Sequence, residues 1–131
     1  MLTWSEQFAT GVALVDSQHK MLIDKINLLE TLLQGPLPPK AKCDELLNFL
    51  GSYTATHFKH EEGCMEKAKC PAAEKNKQAH AAFLKVFGDF KARYVAEGPN
   101  APLLKELHRA AAEWIKNHIL TIDVQLKACA K

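Results

Sequence analysis

The sequence has no run of basic residues, no apolar stretch long enough to cross a bilayer, and no CxxC pair. The +2 formal charge is spread over interleaved Lys and Glu, which removes the electrostatic footprint expected of a nucleic-acid or anionic-lipid binder. The opening "MLTWSEQFATGVALVD" lacks a basic start followed by an apolar segment, so a cytoplasmic, membrane-free protein is expected. Without a secretion signal, the four cysteines, Cys43, Cys64, Cys70 and Cys129, are expected as reduced thiols rather than a disulfide framework or zinc site. Cys64, seven residues after His57 and on the same helix face, is the one with a possible redox role. Period-two alternation of strand length is also absent, which excludes a sheet.

What little Gly and Pro there is falls mostly in "QGPLPPK", "GCMEKAKCP" and "EGPNAP". Between these breaks lie four amphipathic segments, expected as helices at about 16–34, 39–64, 71–96 and 101–121. Asp16 or Ser17 would cap the first. Residues 1–15 form an irregular arm, with Trp4, Phe8 and Val12 to fasten it. The fold class is all-α: a single domain over residues 1–131, built as an antiparallel up-down-up-down four-helix bundle.

Each helix carries one histidine on its apolar seam: His19, His57, His80 and His118. Any one of them reads most simply as a hydrogen-bonded core residue. Counted from the connecting loops at about 1.5 Å per residue, however, all four fall at nearly one height, roughly 25 Å along the bundle. Imidazoles buried together without partners would cost several kcal/mol each, so a metal is indicated. Two carboxylates can balance its charge. Glu61 follows His57 by one turn on the same face, whereas Asp123, five residues after His118, can reach the site only if its helix ends or distorts. This donor set suits iron, manganese or zinc, and a pair of metals better than one.

The segments "VDSQHKML", "HFKHEEGCM", "PAAEKNKQAH" and "WIKNHILTID", with the arm "WSEQFATGVALVD", resemble the bacterial branch of the hemerythrins over nearly the whole chain. The resemblance implies a non-haem diiron cofactor, two iron ions joined by an oxo or hydroxo group. His19 and His57 would hold one iron, His80 and His118 the other, and Glu61 and Asp123 would bridge them. The family pattern has a third histidine where this sequence has Asn76, one turn before His80. An amide is a poorer iron ligand than imidazole, so Asn76 is an uncertain ligand position: it binds weakly, holds a water or leaves a position open. His60 is a reserve ligand at a place the pattern leaves unspecified, with a surface role expected. His108, next to seam residue Leu107, is expected to face outward.

Leu22, Phe58, Phe83, Trp114, Ile115 and Ile119 lie within a turn of ligands and would form a dry pocket for a small apolar gas. The function implied by the resemblance is reversible dioxygen binding, for carriage, storage or sensing, by a monomer that hands oxygen to an unidentified protein acceptor. It is not an enzyme on this reading. The alternative is a diiron oxidase or peroxidase that turns over at the extra position beside Asn76.

Overall fold

The computed structural model describes residues 2–129. Four long helices follow one another: α1 (Ala13–Leu33), α2 (Lys40–Lys67), α3 (Ala73–Glu97) and α4 (Ala101–Thr121). A 3-10 turn at Asp123–Gln125 then leads into a short α5 (Leu126–Cys129), and another 3-10 turn, Glu6–Phe8, interrupts the arm. Each long helix packs on the next and α4 closes against α1, giving an all-α four-helix bundle. Among the described residues no helix is long and apolar enough to cross a membrane.

Local chemistry sets the helix ends. Pro39, at φ −55°, immediately precedes α2, where its missing N–H costs nothing. Gly98 ends α3 at φ 78°, a left-handed conformation that glycine adopts without a Cβ clash, and its N–H returns to the Tyr94 carbonyl at 2.8 Å. Asn100 caps α4 by accepting from the Leu103 N–H at 2.9 Å, and Pro102 occupies the first turn.

The start of α1 departs from expectation. The helix begins at Ala13, and neither Asp16 nor Ser17 caps it. Asp16 instead accepts from both the N–H and the hydroxyl of Thr10, each at 2.8 Å. Its carboxylate fastens the arm, and it sits in the first helical turn, where negative charge is favoured by the helix dipole. The arm is held further by a reciprocal pair, Leu2 N–H to Asn27 Oδ1 at 3.0 Å and Asn27 Nδ2 to the Leu2 carbonyl at 2.6 Å. Phe8 and Trp4 pack on the main core.

The core is divided. One apolar cluster runs along the bundle through Leu22, Ile26, Leu50, Phe83, Phe87, Leu104 and Leu107, each contributing about 1.5–3 kcal/mol by burial. A second, smaller cluster of Val15, Met65, Cys70, Ala72, Ile122 and Leu126 closes the other end. The clusters are separate because the layer between them is polar.

The cysteines require a correction. Cys70, in the α2–α3 turn, and Cys129, at the end of α5, form a disulfide with Cα atoms 5.4 Å apart, while Cys43 and Cys64 are free. The pairing spans 59 residues. Spacing patterns along the sequence do not show it, because the chain after α4 has to fold back over the α2–α3 turn before the two thiols meet.

Candidate metal centre

The polar layer contains His19, His57, Glu61, Asn76, His80, His118 and Asp123, all buried at 5% exposure or less. Every one except Asp123 projects from a long helix. Asp123 arrives by the distortion that its spacing demanded: α4 stops at Thr121, Ile122 takes φ −113°, and the following 3-10 turn swings the carboxylate inward.

The two carboxylates divide their oxygens. Glu61 Oε2 lies 3.2 Å from His19 Nε2 and 3.7 Å from His57 Nε2, while its Oε1 lies 3.3 Å from His80 Nε2. Asp123 Oδ2 lies 3.1 Å from His19 Nε2, and its Oδ1 lies 3.0 Å from His118 Nε2. The result is two interlocked donor groups, His19, His57, Glu61 and Asp123 beside Glu61, His80, His118 and Asp123, with the donor atoms of each within 4.8 Å of one another. Within the pairs the imidazole rings sit 4.6 Å (His19 and His57) and 4.8 Å (His80 and His118) apart, centroid to centroid.

These atoms are close without being satisfied. Both oxygens of Glu61, Asp123 Oδ1 and both ring nitrogens of His19 are buried and lack an aligned hydrogen bond. Buried carboxylates normally take two or more hydrogen bonds, and leaving one bare costs several kcal/mol. A cation between the donor groups removes that cost, and an imidazole and carboxylate shell is what first-row divalent metals take. The residues therefore fit a metal centre made of two donor groups that share Glu61 and Asp123.

Proton affinities reflect the same crowding. Burial opposes protonation of His19, but the Asp123 and Glu61 carboxylates outweigh it and push its pKa up to about 9. Burial, reinforced by His19, pushes His57 down to about 3. For Asp123 burial opposes ionisation, yet the imidazoles of His118 and His19 prevail and hold it well below the usual carboxylate range. Adjacent imidazoles with pKa values driven apart mark a site that shares few protons among many lone pairs.

Two residues behind the rings escaped the reading of the sequence. Gln18 Oε1 lies 2.7 Å from His57 Nδ1, and Glu62 Oε2 lies 2.9 Å from His80 Nδ1. Each contact places the Nδ1 proton outward and turns the Nε2 lone pair toward the centre, the usual support of a metal-bound histidine. Each supporter stands beside a ligand in sequence but serves a histidine on the neighbouring helix. The signal available was a polar residue flanking a seam position, where it faces the adjoining helix.

The expected pocket residues surround the same rings. Phe58 stacks on His80 with centroids 3.8 Å apart and planes 2° apart, and Trp114 stacks on His118 at 4.3 Å and 12°. Phe83 contacts both Phe58 and Trp114. Leu22, Phe83 and Ile115 help to line a narrow apolar cavity of about 20 Å³ inside the bundle, and Ile119 is fully buried.

The other histidines stand apart from the donor groups. His60 turns toward Cys64, with Nε2 3.9 Å from the sulfur. His108 is half-buried and contributes to the wall of the apolar cavity rather than pointing freely outward, a correction, because the residue after a seam position still borders the helix interface, and burial lowers its pKa.

Residues 10–130 match the Hemerythrin HHE cation binding domain. The chain is 32% identical over 122 residues to a bacteriohemerythrin of Pseudomonas paraeruginosa, covering 93% of this chain and 76% of that one. It is 28% identical to the bacteriohemerythrin of Methylococcus capsulatus, covering 98% and 96%, and 29% identical to hemerythrin subunit alpha of Lingula reevii, covering 95% and 91%. A crystal structure of wild-type hemerythrin superposes with a TM-score of 0.85 at 26% identity, over 99% of this chain and 98% of the other. With a matching domain over nearly its whole length and two buried donor groups of the right chemistry at its centre, the chain belongs to the hemerythrin family of non-haem diiron, oxygen-binding proteins.

Proposed function

We propose that this chain, acting as one hemerythrin-like domain over residues 1–131, binds dioxygen reversibly at a diiron centre and serves as an oxygen carrier, store or sensor. The observation that supports it best is the sharing of Glu61 and Asp123, each offering one oxygen to each imidazole pair. Hemerythrins are oxygen-binding proteins rather than enzymes, which places the oxidase or peroxidase reading second.

In this reading His19 and His57 would hold one iron and His80 and His118 the other, with Glu61 and Asp123 offering an oxygen to each. The iron pair, when bound, supplies the electrons that dioxygen binding draws on. Gln18 and Glu62 fix the tautomers of His57 and His80, so their Nε2 atoms face inward at no reorganisation cost. Phe58 and Trp114, stacked on the ligand rings, exclude water from that side, and Leu22, Phe83, Ile115 and Ile119 extend the dry wall. Asp123 and Glu61, close to His19 Nε2, supply the negative charge that would balance the metals.

The same proposal has a monomer that passes oxygen to a protein acceptor in the cytoplasm. There the thiol pool would keep Cys70 and Cys129 reduced, so the disulfide corresponds to an oxidised form of the protein. The test is an absorbance experiment on iron-loaded, anaerobically reduced protein cycled between air and argon. A spectrum that forms in air and reverses under argon over several cycles is expected. Immediate one-way oxidation would sink the carrier reading, and sustained oxygen consumption with added reductant would favour the enzyme.

A further inference from the structure

Asn76 is a fully buried amide that the scheme of two imidazole pairs and two shared carboxylates leaves without a task. It stands one turn before His80 on α3 and points into the layer. Its Oδ1 lies 2.8 Å from His118 Nε2, and its Nδ2 has no partner. The same His118 nitrogen is 3.0 Å from His80 Nε2 and 3.0 Å from Asp123 Oδ1. One ring nitrogen offers at most one hydrogen, so at least two of these three approaches receive none from it. Electron-rich atoms crowd together in this way where a cation is to lie among them, and Asn76 Oδ1 is one of the crowd. The His19 and His57 half has no counterpart: its nearby amide, Gln18, sits behind His57 at Nδ1.

We propose that Asn76 offers its amide oxygen as a weak, displaceable donor to the metal held by His80 and His118, which opens this half to a small anion in addition to the position that two imidazoles and two shared carboxylates leave free at the His19 and His57 half. The inference rests on the dinuclear reading given above. An amide oxygen is neutral and binds divalent and trivalent iron less strongly than imidazole or carboxylate, so an incoming anion displaces it easily.

The probe is azide, titrated into iron-loaded, oxidised protein and followed by absorbance and calorimetry, after metal analysis has fixed the iron content. The wild-type chain should take up two azides per dinuclear centre, and Asn76→His only one, with iron lost to a chelator about 10- to 100-fold more slowly. Asn76→Ala, which keeps the space and removes the donor, should still bind two azides and lose one of its two irons about 10-fold faster than wild type. It carries the test if Asn76→His does not fold. One azide in wild type, or iron retention unchanged in Asn76→Ala, would overturn the proposal. Two irons with two azides but no reversible oxygen binding would sink the carrier reading and leave this inference standing. Fewer than two irons per folded chain would overturn both.

Discussion

The two halves of the centre are near copies that differ in what stands around them. Each presents two imidazoles and shares Glu61 and Asp123, yet a neutral amide, Gln18, supports His57 where a carboxylate, Glu62, supports His80. Among the described residues only the second half carries a buried amide aimed inward, Asn76. A carboxylate behind an imidazole raises its basicity more than an amide does. The half that carries Asn76 thus also has the stronger support behind its imidazole.

Removing a shared group should erase the comparison altogether, and it is the largest effect expected. Glu61→Ala deprives both halves of a shared oxygen and leaves Asp123 alone to balance four imidazoles, so the protein should purify with well under one iron per chain while remaining helical. Metal analysis beside circular dichroism checks this. Iron content near that of wild type would mean that Glu61 is only a buried structural acid.

A smaller change should separate the halves. Glu62→Gln makes the support of His80 resemble that of His57, and iron release from that half should quicken by about 10- to 100-fold. Gln18→Ala should act on the other half alone. Chelator competition resolves the two phases, and equal effects of both variants on both phases would show that neither residue positions a ligand.

The disulfide offers a change that should strike the halves equally. It ties α5, just beyond Asp123, to the α2–α3 turn, so Cys129→Ser loosens a strap common to both donor groups. A loop of 59 residues predicts a loss of about 2–4 kcal/mol in stability. Chemical denaturation with and without reductant measures it, and the reductant should destabilise wild type but not the variant.

Much of this arrangement was legible in the sequence because both the bundle and the histidine layer obey helical periodicity. His19, His57, His80 and His118 each occupy a seam, and counting rise from the loops brings them to one level. Asn76 was visible as a polar residue at a core position, although its role was left open. What periodicity misses is contact between elements. Gln18 and Glu62 look like ordinary surface residues until the helices are docked, and the Cys70–Cys129 pairing depends on how the chain turns back after α4. Asp16 was misread for the same reason: its partner, Thr10, lies outside the helix whose start it seemed to mark.

The account stands most directly on iron-edge anomalous diffraction from crystals of the iron-loaded protein. Two peaks are expected, one within reach of His19 and His57 and one within reach of His80, His118 and the Asn76 oxygen, with Glu61 and Asp123 contacting both. A single peak, or two peaks that do not share Glu61 and Asp123, would contradict it.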